Sequence, residues 1–471
     1  MRVAAAILAS AILVSTIKAA HVPTVEEFDD ALRKHHKSHG MDDNLDSAPR
    51  PSRAARQQAL AKSAAVIEEH NTNPHRSYTM KWNAMSDLTD NEYIARLKTM
   101  PDAVVLPHHH RQHDSRVLSS IAADFPRSVD WSTKDGGKYV TPIKNQGTCG
   151  SCWAFTGAAV VESMVAIATN TRAIPLSVEQ ILTCSGGLQH VQSEYPNRMI
   201  SSSKGCDGGM TFLAYEYLKR TPPHGLTCDA DMPYRMKLKT DAFDAARCTN
   251  VRADTAWDAT SSYLSLQNNE HAIVAALQNG PIAVSIDASG NGFRHYGSGV
   301  YDAADCKSDG VYVDHAVIVV GYGDTSAGEP YWIIRNSWGS MWGERGYMRM
   351  KRGGTASPSG PCNLFLYASQ PTGLKGQPDA TCAAPLPPSD TSLSALAFWP
   401  TNLEQGSLLY GVSVAVVVLG VGMHIYGEHR MRVNFPKQTY VESFMRNQLP
   451  TQSQVLMHMA ARKAKAAIQS V

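Results

Sequence analysis

The spacing of apolar residues divides the chain into segments that favour different structures. An apolar run that begins after Arg2 and ends at Val14 is typical of a signal peptide, which we assign to 1–20. An N-terminal membrane anchor is the alternative, although the run is short for a span. Farther along, apolar residues recur at helical spacing over 53–71, and this periodicity predicts a helix.

A helical region followed by a strand region is predicted for the centre of the chain. The apolar stretch 151–170 favours a helix that begins at Ser151 or Cys152. After residue 280, four largely apolar runs predict strands, namely PIAVSID, HAVIVVGYG, YWIIRNSW and YMRMKR. This order predicts an α+β fold with a functional site between the two halves.

The C-terminal region is interpreted as a linker, a membrane span and a tail. Six prolines between 371 and 406 indicate a linker. The segment 407–426 has no Asp, Glu, Lys or Arg, only His424, and a helix of about 20 residues crosses the roughly 30 Å of a bilayer core. The tail 427–471 has seven Lys or Arg and two Glu, so the positive-inside bias predicts a cytosolic tail and type I topology. A buried core helix is the alternative for 407–426.

Composition narrows the class of protein. The net charge of +2 gives no indication of a nucleic-acid surface. Nine cysteines, seven of them between 149 and 306, indicate an oxidising compartment with paired bridges and at least one unpaired thiol. With the signal peptide, these cysteines predict a protein of the secretory pathway.

Two of the cysteines, Cys149 and Cys152, form a C-x-x-C pair. Such a pair is a redox dithiol, half of a zinc site, or a structural cysteine beside a nucleophile. A redox dithiol predicts a thioredoxin-like βαβ context, which the sequence does not contain. Cys152 lies at the predicted start of a helix, where backbone N–H groups stabilise the nucleophilic thiolate.

A base, an orienting group and an oxyanion donor are also predicted. His315 begins one apolar strand and Asn336 ends the next, so adjacent strands can bring imidazole and amide together. The Asn336 carbonyl then accepts from one ring nitrogen and leaves the other facing Cys152. Gln146 offers side-chain N–H donors to an oxyanion, together with the backbone N–H of Cys152.

The blocks QGTCGSCWAF, DHAVIVVGYG and NSWGSMWGERGY resemble the active-site blocks of papain-like cysteine peptidases of the cathepsin L group. The resemblance implies two lobes, one helical and one β-barrel-like, over 124–370. It makes Cys152 the nucleophile, His315 the acid/base, Asn336 the orienter and Gln146 part of the oxyanion hole. It also implies an endopeptidase acting on protein and peptide substrates, without a cofactor or a metal. A catalytically silent, membrane-anchored peptide-binding relative is the rival hypothesis.

The resemblance also assigns bridges and a shield. It implies three disulfides, Cys149–Cys206, Cys184–Cys248 and Cys306–Cys362, while Trp338 shields the His–Asn bond from water. The sequence does not decide the pairing of Cys228 and Cys382, because a fourth bridge and free or intermolecular thiols are both compatible with it.

The resemblance further assigns the substrate site. Gly208 and Gly209 match the wall whose backbone binds the substrate strand. The main selectivity pocket receives the second side chain before the cut, and its matching positions are Met210, Thr211, Ser285, Val313, Ala316 and Tyr367. Because Tyr367 stands where some relatives carry an acid, we expect apolar or aromatic side chains in this pocket. The insertion 185–205 is expected to be a surface loop, with a position bordering the cleft as the alternative.

The segment 21–123 resembles an inhibitory pro-segment. Positions that match its two motifs are Arg56, Ile67, Asn71, Asn83 and Asp87, whereas Leu60, Ser63, Lys81 and Met85 depart from them. The resemblance implies that this segment folds on the catalytic lobes and fills the cleft backwards. This organisation predicts an acidic lysosome- or vacuole-like compartment, and the cluster His108, His109, His110 and His113 is either a pH-dependent release element or a soluble linker.

Overall fold

The computed structural model describes residues 22–38, 51–99, 125–186, 189–192, 199–222, 224–235, 248, 251, 262–266, 269–353, 357–374 and 382. The chain divides into two compact units, and all of these residues belong to the first, Met1–Ser389. The predicted signal peptide, the histidine cluster, the span 407–426 and the tail 427–471 lie outside the described residues. Most of the predicted linker also lies outside them.

Nine α-helices are found in the described residues, and they are numbered in chain order. They are α1 (Val25–Ser38), α2 (Arg53–Thr72), α3 (Asp90–Arg96), α4 (Lys134–Gly137), α5 (Cys152–Thr169), α6 (Val178–Cys184), α7 (Thr211–Arg220), α8 (Glu270–Leu277) and α9 (Asn291–Arg294). Short 3-10 helices occur at Gly205–Asp207 and Pro361–Asn363. The predicted helices at 53–71 and 151–170 are therefore confirmed.

The strands form one nine-stranded sheet and a separate hairpin in the described part of the chain. They are β1 (Tyr78–Met80), β2 (Val129–Asp130), β3 (Gln189–Gln192), β4 (Met199–Ser202), β5 (Ser262–Ser265), β6 (Ile282–Ile286), β7 (Tyr296–Tyr301), β8 (His315–Asp324), β9 (Pro330–Arg335), β10 (Tyr347–Lys351) and β11 (Ser369–Thr372). The large sheet has the order β1-β7-β10-β9-β8-β6-β11-β5, with β2 beside β8. All four predicted strands are present.

The insertion between Cys184 and Cys206 differs from the expectation. Its residues pair as the antiparallel hairpin β3–β4, in the register Gln189↔Ser202 to Gln192↔Met199. The sequence did not indicate these strands, because two short segments of mixed polar and apolar residues carry little of the alternation that marks a half-buried strand. Whether the insertion is a surface feature or borders the cleft stays a prediction.

The helical lobe packs around α5. Fourteen of the residues of this helix are buried, Cys152 and Trp153 completely. α7 packs against it closely enough that a Cβ at Gly157 would overlap Ala214. By length and composition α5 is also the one helix of the described residues that could cross a membrane, and 78% of that stretch is buried inside the protein.

The second lobe is built on β6, β8 and β9. β8 is buried along its whole length except for Asp324, which reflects its uninterrupted apolar sequence. Trp332, Trp338 and Trp342 pack with these strands into the largest core cluster. The first residue of β8 therefore lies at the border between a rigid strand and the helical lobe.

The N-terminal segment folds onto this second lobe. β1 pairs antiparallel with β7, in the register Tyr78↔Gly299 and Thr79↔Ser298. Asn83 donates to the carbonyl of Arg294 at 2.9 Å and is fully buried. The segment thus adds an edge strand to the sheet, and the matched motif residue contributes a buried hydrogen bond across the contact.

A buried ion-pair cluster holds the N-terminal segment together. Arg56 donates from Nη1 and Nη2 to the carboxylate of Asp29 at 3.0 and 2.5 Å. Its Nε donates to Asp87 at 2.8 Å. The Arg56 side chain is only 6% exposed. The cluster joins α1, α2 and the turn before α3 into one folded body.

Four disulfides cross-link the described residues. The structure contains the three pairs that the resemblance implies, Cys149–Cys206, Cys184–Cys248 and Cys306–Cys362. It also pairs Cys228 with Cys382, their Cα atoms 5.5 Å apart. Of the two alternatives for this last pair, the structure has the fourth bridge, which ties the start of the linker to the helical lobe.

Candidate active site

Cys152 is the one unpaired cysteine and begins α5. It is completely buried, and its Sγ lies 3.1 Å from the hydroxyl of Thr99. Burial raises the pKa of the Cys152 thiol, and hydrogen bonds from Thr99 and nearby backbone groups oppose that effect. The helix start favours a thiolate, whereas burial favours the neutral thiol.

His315 and Asn336 meet across β8 and β9. Nε2 of His315 lies 2.8 Å from Oδ1 of Asn336, as adjacent antiparallel strands allow. Burial lowers the pKa of His315 to about 4, against the opposing effects of Asn336 and Asp314. Nδ1 of His315 makes no hydrogen bond to any residue that the structure describes. The arrangement leaves this nitrogen available to a proton donor in the cleft.

Trp338 covers the His315–Asn336 pair. Its ring centroid lies 4.7 Å from that of His315, and the side chain is 1% exposed. Its Nε1 donates to Oε1 of Gln146 at 3.2 Å. The indole therefore excludes water from the imidazole and also connects it to the glutamine.

Hydrogen bonds orient the side-chain amide of Gln146 so that its NH₂ group is the donor. Its Oε1 accepts from Ser337 Oγ at 2.7 Å, so Nε2 must point away from that group. Nε2 donates to the carbonyl of Cys149 at 2.9 Å and to that of Arg96 at 3.3 Å. A carbonyl of the N-terminal segment is thus the acceptor at the predicted oxyanion donor.

Residues 96–99 fill the cleft. The N–H of Gly209 donates to the carbonyl of Lys98 at 3.3 Å, and the N–H of Thr99 donates to that of Asp314 at 2.9 Å. Gly208 has φ +115°, and a Cβ there would overlap the Lys98 carbonyl. The two glycines therefore lie against the extended residues 96–99, and their role as a wall for the substrate strand stays a prediction.

The chain direction in the cleft is opposite to that of a substrate. In a substrate, the residue at the oxyanion donor follows the residue at the glycine wall. Here Arg96, at Gln146, precedes Lys98, at Gly209. No peptide bond of residues 96–99 is presented to Cys152 in the order needed for cleavage.

The predicted pocket residues are described by their packing, sheet pairing and burial. Met210, Ala316 and Tyr367 belong to one packed cluster. Ser285 of β6 is paired with Ala316 in the sheet, and Val313 is 1% exposed. Thr211 begins α7 with a buried hydroxyl. Three of these six side chains are apolar and three carry hydroxyl groups, and none of the six is charged.

Sequence reasoning missed Asp314. Its Oδ1 accepts from the N–H of Ala288 at 2.8 Å, whereas its Oδ2 is buried without a partner among the described residues. Burial raises the pKa of Asp314 to about 7. Its position next to His315 was the available signal. Its carbonyl, which holds Thr99, could not be recognised from the sequence because any residue supplies that group.

The described residues contain no group of three or more His, Cys, Asp or Glu side chains that could hold a metal ion. The chemistry that this arrangement can perform is acyl transfer to a thiol. A thiol at a helix start, an imidazole oriented by an amide and an amide donor are the parts that this reaction needs.

Comparison with known proteins identifies the family. The chain matches the papain family of cysteine proteases over residues 125–371 and the cathepsin propeptide inhibitor domain over residues 28–93. It is 33% identical over 322 residues to cysteine endopeptidase RepA of Oryza sativa subsp. japonica, covering 66% of this chain and 76% of that protein. A probable cysteine protease of Arabidopsis thaliana, RD21C, is 33% identical over 68% of this chain, but this match spans only 64% of RD21C.

Solved structures agree with this assignment. A recombinant stem bromelain precursor superposes with a TM-score of 0.54 at 30% identity, covering 73% of this chain and 98% of that one. Digestive procathepsin L 3 of Tenebrio molitor larval midgut gives a TM-score of 0.53 at 27% identity, covering 74% and 98%. The chain therefore belongs to the papain family of cysteine proteases, which are hydrolases, and carries the propeptide inhibitor domain of that family before its peptidase domain.

Proposed function

We propose that this protein is a cysteine endopeptidase made as a zymogen, with Cys152 as nucleophile, His315 as acid/base and Asn336 as orienter. The observation that carries the proposal is the meeting of three groups from distant parts of the chain. The one unpaired thiol begins α5 and accepts a hydrogen bond from the backbone of Ala316, next to the oriented imidazole that begins β8, while the Gln146 amide is joined to Trp338, the residue that covers this imidazole.

Acylation follows from this geometry once the N-terminal segment has left. His315 Nδ1 takes the proton of Cys152, and the thiolate attacks the scissile carbonyl carbon. The carbonyl oxygen becomes an oxyanion that accepts from Gln146 Nε2 and from the backbone N–H of Cys152. His315 returns the proton to the leaving amine, which departs and leaves a thioester on Cys152.

Deacylation uses the same groups with water as nucleophile. His315 removes a proton from water, the hydroxide adds to the thioester, and the tetrahedral intermediate releases the Cys152 sulfur and the carboxylic acid product. Asn336 keeps Nε2 of the imidazole occupied, so Nδ1 alone serves both steps. Trp338 keeps bulk water from the His315–Asn336 bond.

The N-terminal segment is proposed to act as the inhibitor of the same chain. It covers Cys152 with Thr99, satisfies Gln146 with a carbonyl, and runs against the substrate direction. Burial, to which this segment contributes through Thr99, raises the pKa of Cys152 and lowers that of His315, and both shifts oppose formation of a thiolate–imidazolium pair. Latency thus has a steric and an electrostatic component.

Location and anchoring belong to the same proposal. The apolar segment 1–20 and four disulfides support entry into the secretory pathway, and we infer an acidic vacuole- or lysosome-like compartment. The uncharged segment 407–426 with its basic tail supports a single type I span.

Alkaline carbonate washing of membranes tests the span, and we expect the full chain to stay in the membrane pellet. Release into the supernatant would contradict the span.

The proposed function is tested by incubating the processed protein with peptides that are blocked at both ends and measuring their cleavage. We expect cleavage inside the peptide, and complete inhibition by an epoxide thiol reagent that becomes attached to Cys152. Binding of peptides without cleavage, and without labelling of Cys152, would instead support the silent peptide-binding relative.

The same assay tests the pocket formed by Met210, Ser285, Val313, Ala316 and Tyr367. We expect peptides with Leu or Phe two residues before the cut to have a higher kcat/KM than the Arg peptide. The reason is that the lining provides apolar area but no carboxylate to pair with a guanidinium. A difference of about tenfold or more is expected from desolvating an unpaired cation. Equal or faster cleavage of the Arg peptide would contradict this assignment.

A further inference from the structure

Arg294 is a cation of the peptidase domain whose side chain is bound by the pro-segment. It ends α9 and is 4% exposed, with Nη1 3.2 Å from Oδ1 of Asp90. Nε and Nη2 donate to the carbonyl of Met85 at 3.2 and 2.9 Å, and Nη2 also donates to that of Leu88. The guanidinium lies 4.9 Å from the centroid of the Tyr93 ring.

All of these partners leave with the pro-segment. Within the described part of the chain, no hydrogen bond or ion pair joins the Arg294 guanidinium to another group of the peptidase domain. Arginine stays protonated at every pH at which a protein functions. The processed enzyme therefore has a guanidinium with its donors open to a new acceptor.

The position of Arg294 identifies which part of a substrate it meets. The neighbouring Phe293 ring lies 5.8 Å from His315 and 5.4 Å from Trp338, and the Tyr93 ring lies 5.8 Å from Trp338. The glycine wall at Gly209 is at the other end of residues 93–99, beyond the oxyanion donor. Because that wall holds the acyl part of a substrate, Arg294 faces the leaving-group part.

There is space for a ligand side chain beside Arg294. A cavity of about 250 Å³ lies between α2 and α9, and its lining includes Lys62, Asp90 and Arg294. Most of this lining belongs to the pro-segment, so its departure leaves the peptidase side of the cavity, Asn291, Arg294 and His295, facing solvent. A substrate side chain then reaches the guanidinium without displacing any part of the peptidase domain that lines it.

We propose that Arg294 is a specificity-determining residue that binds an acidic side chain on the leaving-group side of the cut. The inference rests on the proposed endopeptidase function. The carboxylate of Asp90 shows the geometry, and an Asp or Glu of a substrate takes its place in the processed enzyme. A basic side chain at the same position is disfavoured, because two like charges would be brought together.

The test uses processed full-length enzyme and peptides that share one acyl part. Glu is compared with Gln at each of the first three positions after the cut, at pH 6, where Glu is ionised. At one of these positions we expect the Glu peptide to have about tenfold higher kcat/KM, the effect of a charge-assisted hydrogen bond that is partly shielded from water. Raising the ionic strength to 1 M should reduce this ratio towards one.

Variants assign the preference to the residue. Arg294→Met, similar in length and without charge, should bring the Glu/Gln ratio close to one. Arg172→Met, at an exposed arginine after α5, should keep the wild-type ratio. If Arg294→Met fails to fold, the salt dependence of the wild-type ratio still decides the question.

The outcomes separate this inference from the proposed function. A ratio near one at all three positions at low salt would overturn the role of Arg294 while leaving the endopeptidase intact. It would mean that Arg294 of the processed enzyme binds either no part of the substrate or only its backbone carbonyls, as it binds those of Met85 and Leu88 in the full chain. Failure to cleave any blocked peptide would instead contradict the proposed function.

Discussion

Replacing Cys152 by serine should abolish peptide hydrolysis and leave the full chain unprocessed. A serine hydroxyl at this position has no base strong enough to ionise it, because His315 is adapted to a thiol of much lower pKa. Loss of the nucleophile in a triad enzyme costs at least about 10⁴-fold in kcat. The measurements are cleavage of a blocked peptide and the length of the purified chain. Residual activity within about tenfold of wild type would contradict the assignment of Cys152.

The matched control replaces both members of the neighbouring bridge, Cys149→Ser with Cys206→Ser. This bridge closes a loop with a sequence separation of 57. Removal of a native disulfide costs about 2 to 5 kcal/mol of stability. The control should therefore lower Tm while the folded fraction still hydrolyses peptide, whereas Cys152→Ser should keep Tm and lose hydrolysis. The two cysteines of one C-x-x-C pair thus have separable roles.

Replacing Arg56 by methionine should release the pro-segment. The substitution leaves the carboxylates of Asp29 and Asp87 close together without their cation, and breaking a buried ion pair in this way costs about 3 to 5 kcal/mol. At 1.4 kcal/mol for each factor of ten, the open population rises at least about 100-fold. We expect faster self-processing at pH 5.5 and faster hydrogen exchange of the α2 amides.

The matched control is Arg53→Met on the same helix. Arg53 pairs with Glu26 at 2.7 Å, but the two side chains are 73% and 58% exposed. Exposed pairs contribute about 0 to 1 kcal/mol. This variant should therefore be processed at the wild-type rate. Equal processing rates for Arg56→Met and Arg53→Met would show that the buried cluster does not maintain latency.

The peptidase core was predictable because its signals are local in sequence. The apolar stretch of α5 is long enough to indicate a helix, and the shorter uninterrupted run of β8, rich in valine and isoleucine, indicates a buried strand. The site residues lie at the ends of these elements, which is where a cleft between two lobes must form. Cys152, His315 and Asn336 could therefore be named together, although insertions lengthen the chain between them.

The contacts that close the cleft were not predictable. Thr99 reaches Cys152, and Arg294 reaches Asp90, through docking of segments that are far apart in sequence. Neither segment has a sequence pattern that indicates which distant residue it will contact. The sequence did not decide the pairing of Cys228 with Cys382 for the same reason, since the pairing of two remaining cysteines depends on where the fold brings them.

Alkylation of Cys152 by iodoacetamide, followed by intact mass, tests the central claim most directly. The other eight cysteines are paired, so one adduct reports one residue. In the full chain, burial raises the thiol pKa and lowers that of His315, so the pair is neutral and reaction should need alkaline solution. Removal of the pro-segment uncovers the Cys152 thiol and should speed alkylation at pH 5.5 by about 100-fold or more. Equal rates before and after processing would contradict the account.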